Sequence, residues 1–154
     1  MKLAVLGLGF MGSTHLKAMR NIPGATLAAV ASADERQLSG DLSGIQGNLG
    51  GAGERMDFSG VAKYTRWEDA LKDPDVEAVD ICLPTSLHAS AAIAALEAGK
   101  HVLVEKPMAL RGVDCDRMLA AAQASGKILM TAQVLRFFPE YQAAASMRSQ
   151  LSLI

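Results

Sequence analysis

The chain has 154 residues, half of them hydrophobic and a fifth charged, with a formal net charge of −1. That composition describes one ordinary domain with material for a sizeable core, and it argues against a disordered, nucleic-acid-binding or membrane-surface protein. Aromatic residues make up only 5% of the chain, too few for a base-stacking surface. Cys82 and Cys115 lack metal-ligand spacing and no C-x-x-C occurs, so free thiols in a reducing cytoplasm are expected. A strand-like run from Lys2 leaves no room for a signal peptide, and no apolar run is long enough to span a membrane. A soluble, cytoplasmic protein without nucleic-acid or membrane partners is the expectation.

In chain order, Lys2 to Leu6 (KLAVL) reads as a strand that runs directly into Gly7-Leu8-Gly9-Phe10-Met11-Gly12. A helix follows from Phe10 to near Asn21, where Pro23-Gly24 breaks it. Ala25 to Ala31 reads as the second strand and Asp34 to about Leu42 as a short helix. Seven of the fourteen glycines then fall between Gly40 and Gly60, which predicts a long, mobile surface loop. Val61 to Tyr64 is a short strand and Trp67 to Leu71 a short helix. Val76 to Leu83 is a strand, Leu87 to Ala98 a helix capped by Gly99, and His101 to Glu105 a further strand. Gly112 to Ser125 is a helix, Lys127 to Gln133 the last strand, and Glu140 to Leu151 a final helix. Apolar strands alternating with helices predict an α/β fold, a doubly wound parallel sheet of about six strands. Ligands of such sheets bind beyond the carboxyl ends of the strands, at the point where strand order reverses.

The glycine motif has the strand-to-helix setting that binds a dinucleotide diphosphate. Gly7 permits the tight turn, Gly9 lets backbone amides approach the phosphates, and Gly12 lets the helix pack close to the strand. The helix start, with Phe10 and Met11, offers unpaired amides to the diphosphate. Twenty residues past Gly12 stands Ser32, with Arg36 nearby, where many such sites carry an acidic reader of the ribose 2′-hydroxyl. Serine with an arginine suits the 2′-phosphate of NADP, although Asp34 in a shifted register would restore an NAD reader; the balance tips slightly to NADP over NAD. Asp34 to Arg36 also read as ordinary charges at a helix start.

Lys106 lies directly after an apolar strand, between Glu105 and Pro107. There an ammonium can donate to a substrate hydroxyl and stabilise negative charge developing on oxygen during hydride transfer. A plain Glu105–Lys106 ion pair is the alternative. Leu83, Pro84, Thr85 and His88 follow another strand end and, with Glu105 and Lys106, are candidates to contact the cofactor, although His88 taken alone reads more readily as a cap or packing residue. His15 reads as a packed helical histidine. Three isolated histidines make no metal site, and no nucleophile pattern supports hydrolase chemistry.

Together GLGFMG with His15 three positions on, CLPTSLH (Cys82 to His88), AGKHVLVEKPMAL (Ala98 to Leu110) and the run Ala132 to Phe137 resemble the N-terminal half of the glucose–fructose oxidoreductase / inositol dehydrogenase / rhizopine-catabolism family, Gfo/Idh/MocA. The resemblance implies a Rossmann-fold, NAD(P)-dependent oxidoreductase acting on a small-molecule sugar, polyol or related hydroxy compound. It implies that Lys106 is catalytic, contacting substrate and nicotinamide ribose through a Lys-Pro bond that is often cis, and that His88 contacts ribose or substrate. It also implies a second, substrate-holding domain that forms the oligomer. Residues 1–138 are then the dinucleotide-binding domain and residues 139–154 the helix that starts a substrate domain absent from this chain. A fragment, a truncated reading frame or an isolated domain would each explain that, and the chain alone is expected to be inactive. A non-catalytic NAD(P)-binding module is the rival reading, and association into a homo-oligomer is a further one.

Overall fold

A computed structural model describes residues 1–47 and 53–147. Six strands form one fully parallel sheet: β1 (Lys2–Leu6), β2 (Thr26–Ala31), β3 (Ala62–Tyr64), β4 (Ala78–Ile81), β5 (His101–Glu105) and β6 (Leu129–Ala132), in the spatial order β3-β2-β1-β4-β5-β6. The helices are α1 (Phe10–Met19), α2 (Glu35–Leu38), α3 (Trp67–Ala70), α4 (Thr85–Glu97), α5 (Gly112–Ser125) and α6 (Pro139–Ser146), with a 3₁₀ turn at Val134–Phe137. The doubly wound parallel sheet expected from the residue pattern is therefore the observed fold.

Alternation along the strands divides the apolar side chains between two cores. Ala4 and Leu6 face one, with Val79, Ile81, Val102 and Val104, beneath α4 and α5. Val5 and Val30 face the other, with Leu8, Leu16 and Met19 of the α1 side. Three alanines of α4, Ala91, Ala92 and Ala95, are wholly buried. Small residues there let the helix lie close on the sheet, as the first core requires.

Several boundaries differ from expectation. The ladder of β4 with β1 begins at Leu3↔Ala78, so Val76 and Glu77 precede the strand. It ends after the Cys82 amide donates to the Leu6 carbonyl, because Pro84 has no N–H with which to continue. Helix α2 is a single turn: Gly40 takes a φ of +88°, and a Cβ there would meet the Met56 carbonyl oxygen. The expected final helix runs from Pro139 to Ser146, and its expected part from residue 148 onward lies outside the described residues.

The flanks of the glycine-rich segment are not the loose loop that its composition predicts. Residues 48–52 lie outside the described residues, but its two flanks are packed. Leu42, Met56 and Phe58 are buried in the second core, and Asp41 pairs with Arg55 in an antiparallel bridge. The Gly53 amide donates to Ile45, and a Cβ at Gly53 would sit 1.9 Å from the Leu42 carbonyl oxygen. Here glycine serves close backbone approach rather than looseness.

The α1 side of β5 and β6 carries no covering helix among the described residues. Leu3, Ala18, Ile22, Leu103, Met130 and Phe137 line an apolar groove of about 540 Å³ there. Helix α6 is exposed throughout and packs chiefly on the 3₁₀ turn.

Candidate dinucleotide site at the strand ends

Strand β1 leads through α1 to one side of the sheet and β4 leads through α4 to the other. Their carboxyl ends therefore part, and a cleft of about 640 Å³ opens above them. Gly7, Gly9, Phe10 and Met11 form one wall, Leu83, Pro84 and Leu87 another, and Ser32, Ala33, Gln37, Thr65 and Trp67 the far end.

The three motif glycines have separable reasons to be there. Gly7 has φ +94°, and a Cβ on it would lie 2.7 Å from the Cys82 carbonyl oxygen. Gly12 faces the Gly7 carbonyl oxygen, where a Cβ would stand at 1.9 Å. Gly9 differs: a Cβ there would meet no atom of the described residues within 4 Å, although Gly9 lines the cleft. Among the described residues nothing excludes a side chain at Gly9, and the space over it opens into the cleft.

Behind Gly9, α1 opens with its first backbone bond from the Ser13 amide to the Gly9 carbonyl. The Phe10, Met11 and Gly12 amides thus have no intrahelical acceptor, the N-cap Gly9 offers no side chain to cap them, and no acidic residue stands in the first turn. An uncompensated positive helix end facing a cleft suits a diphosphate.

At the adenosine end the Ser32 hydroxyl donates to Gln37 Oε1 at 2.6 Å and accepts from the Asp34 amide at 3.1 Å. Asp34 is spent on capping α2, accepting from the Arg36 amide. Arg36 itself turns away from the cleft to Asp41, Nε to Oδ2 at 3.0 Å. The Ser43 hydroxyl and Arg36 hold the Asp41 carboxyl down at about 2. The expected partnership of Ser32 with Arg36 is therefore replaced by one with Gln37, which the sequence reading missed.

At the other end Glu105 is buried and closes β5, while Lys106 is exposed and its ammonium has no ion pair among the described residues. The simple Glu105–Lys106 pair is not formed. Glu105 Oε2 instead accepts from the backbone amide of Lys106 at 2.9 Å. The Lys106–Pro107 peptide is cis.

Thr85 starts α4 and is half-buried. His88, one turn on, is 1% exposed and does not line the cleft. Its Nδ1 lies 2.8 Å from the Pro107 carbonyl oxygen and its Nε2 2.9 Å from that of Leu83. The ring ties the turn after β5 to the turn after β4 and so sets the cleft wall from behind.

His15 is more engaged than a packed helical histidine. Its Nδ1 is 2.8 Å from Asp80 Oδ2, and its Nε2 is 3.2 Å from Glu105 Oε1. The second approach is close enough for charge pairing but lies off the hydrogen-bond direction, so Oε1 accepts no directed bond. The Asp80 hydrogen bond raises the His15 pKa above its usual value against the opposing effect of burial, with further help from the charges of Asp80 and Glu105. Burial, and then the same carboxylates, push the Cys82 thiol well up, so it stays protonated. Ligand atoms of His15, Asp80 and Cys82 lie within 4.8 Å of one another. Two atoms sharing a tetrahedral zinc stand about 3.3 Å apart, so the 2.8 Å His15–Asp80 contact is a hydrogen bond.

Known proteins match this architecture. The sequence model of the oxidoreductase family with an NAD-binding Rossmann fold, GFO_IDH_MocA, matches residues 1–133. The chain is 32% identical to 4-carboxy-2-hydroxymuconate-6-semialdehyde dehydrogenase of Sphingobium sp., covering 92% of this chain and 41% of that protein. It is 33% identical to myo-inositol 2-dehydrogenase of Thermotoga maritima, covering 89% and 37%. Among solved structures, an NAD-binding protein from Listeria innocua superposes with a TM-score of 0.77 at 28% identity, over 97% of this chain and 40% of that one. A mutant 3-ketoreductase from Actinomadura kijaniata, in complex with TDP-benzene and NADP, superposes with a TM-score of 0.79 at 25% identity, over 97% and 44%. The chain thus spans about two fifths of the length of the curated relatives it matches. Fold, glycine cleft and family match agree: the chain belongs to the Gfo/Idh/MocA oxidoreductase family, as its NAD-binding Rossmann domain.

Proposed function

We propose that this chain is the cofactor-binding half of an NAD(P)-dependent oxidoreductase that transfers hydride to or from a sugar, polyol or related hydroxy compound. The observation that carries the proposal is the cleft at the β1/β4 divergence. It has unpartnered α1 amides on one side, clear space over Gly9, and Lys106 at the neighbouring strand end. When bound, the nicotinamide cofactor supplies the hydride donor or acceptor.

The residues of the chain do the rest. The first-turn amides and helix end bind and orient the diphosphate. Leu83 and Pro84 form an apolar wall on the nicotinamide side and limit water. The Lys106 ammonium, with no carboxylate partner among the described residues, donates to the substrate oxygen and stabilises charge that develops there. Ser32, Ala33 and Gln37 receive the adenosine end with no carboxylate among them to repel a 2′-phosphate, which tips the choice narrowly to NADP. Helix α6 is the first element toward a substrate domain. Two free thiols, Cys82 and Cys115, fit a cytoplasmic setting, and no helix among the described residues is long and apolar enough to cross a membrane.

The test is titration with NADPH and NADH, followed through the emission of Trp67, the single tryptophan, which lines the cleft. Repeating it with polyols and sugars present asks about the second half of the proposal. Saturable binding, tighter for NADPH and sensitive to some polyol, is expected. No saturable binding of either cofactor overturns the reading, and binding indifferent to every polyol favours a nucleotide-binding module.

A further inference from the structure

Asp80 lies inside an apolar strand and is 3% exposed, and Glu105 at the end of the next strand is 4% exposed. Buried carboxylates need partners. Both point to the α1 side of the sheet, and the imidazole of His15 stands between them. The Cys82 thiol completes the cluster, donating to Asp80 Oδ1 at 3.6 Å. Among the described residues no other cation faces it: the adjoining walls from α1, β1, β5, β6 and the 3₁₀ turn are apolar, and the Met1 amino group is bonded to the Gly24 carbonyl. The same Glu105 carboxylate accepts from the Lys106 amide. One short chain of contacts thus joins the helix behind the glycine loop to the backbone of the lysine.

We infer that His15 is a positioning residue: as an imidazolium bridging Asp80 and Glu105, it holds the turn that carries Lys106 against α1, so the placement of Lys106 follows the proton on His15. A protonated ring donates its Nδ1–H to Asp80 and sets its positive charge, at Nε2, 3.2 Å from Glu105 Oε1. A neutral ring has one N–H for the two, and whichever nitrogen is bare turns its lone pair on a carboxylate oxygen. Glu105 is buried and has no solvent to retreat to, so the turn it anchors moves instead. Cys82, held protonated, does not compete for the proton over the same range. The clause in which Lys106 acts on substrate rests on the proposed function; the linkage between His15 and the Lys106 backbone does not.

Nuclear magnetic resonance titration of the chain from about pH 5 to about pH 9 reads both groups at once, clear of ordinary carboxylate titration. The His15 imidazole should titrate with a midpoint above the usual 6.5, and the Lys106 amide should shift with the same midpoint. The Val30 amide, in the second core, should stay flat. Glu105→Gln should lower the His15 midpoint and abolish the Lys106 response. A Lys106 amide that stays flat while His15 titrates, or a His15 midpoint at or below 6.5, overturns the inference, and the wild-type titration decides even if the variant fails to fold. Cofactor titration of the same sample separates the two claims. Linked titration without cofactor binding defeats the proposed function alone, and cofactor binding with a flat Lys106 amide defeats this inference alone.

Discussion

Gly9→Ala separates what the fold needs from what the cofactor needs. A Cβ at Gly9 meets no atom of the described residues within 4 Å, and its φ of −71° and ψ of −162° are open to alanine. Alanine is a poorer N-cap than glycine by up to about 1 kcal/mol, while restricting the unfolded chain returns about 0.4–1 kcal/mol. The two nearly cancel, so stability should change by less than about 0.5 kcal/mol. Binding should not escape so lightly. The new methyl stands in the cleft beside the amides of the first helical turn, where a diphosphate must come within hydrogen-bond distance. A hydrogen bond to a charged group contributes about 1.5–3 kcal/mol, so losing one weakens affinity about tenfold to a hundredfold. Trp67 emission reads the affinity and urea unfolding reads the stability. Gly12→Ala is the control with the opposite signature. Its Cβ would lie 1.9 Å from the Gly7 carbonyl oxygen, so it should destabilise by about 1–3 kcal/mol despite better helix propensity. Wild-type affinity in Gly9→Ala, or an unfolding midpoint as low as that of Gly12→Ala, would refute the reasoning.

Ile81→Ala empties a fully buried site between β4 and α4, and should cost about 2–5 kcal/mol in urea unfolding; a loss under 1 kcal/mol would mean the core closes over it. The folded pKa of His15 is raised, so its contribution to stability is complete below about 6.5 and is lost as pH rises through the folded value. Unfolding free energy should therefore decline as pH rises above about 6.5 in the wild type and less so in His15→Gln, and parallel curves would contradict the bridge. A Cβ at Gly47 would sit 1.9 Å from the Phe10 ring, so Gly47→Ala should displace that ring and weaken cofactor binding several-fold. Unchanged Phe10 resonances would show that the contact is not maintained.

The strands and the glycine turn were legible because each announces itself locally. KLAVL is apolar at every position but one, and Gly7 and Gly12 are required by contacts within a few residues of the motif or across one strand pair. The polar cluster was not, although Asp80 in the middle of VEAVDICL was a visible oddity. Its partners lie 65 and 25 residues away in sequence, and only the sheet order brings β4 and β5 under α1. Parity gave a usable hint: Asp80 and Cys82 share one face, and Leu103 and Glu105 share the same one. The glycine-rich segment misled because composition was weighed above the large apolar residues embedded in it. Leu42, Met56 and Phe58 are the kind of side chain that anchors a segment, and they do. Arg36 and His88 were placed by spacing, which cannot tell that Asp41 and two backbone carbonyls claim them first.

The α1-side face of β5 and β6, bare among the described residues, matters for how this molecule reports on itself. An apolar groove of about 540 Å³ on a folded domain is an open berth for the polarity-sensitive dyes used to follow melting. Such dyes brighten on apolar surface, and bright signal is ordinarily taken as the mark of lost side-chain packing. Here the native state should already glow, and heating should add little contrast. A dye-based melting curve would make a well-packed protein look molten, whereas Trp67 emission or calorimetry would show its cooperative transition. The same berth offers a readout: any segment or partner that covers β5 and β6 should extinguish the dye while leaving Trp67 undisturbed at the far end of the sheet.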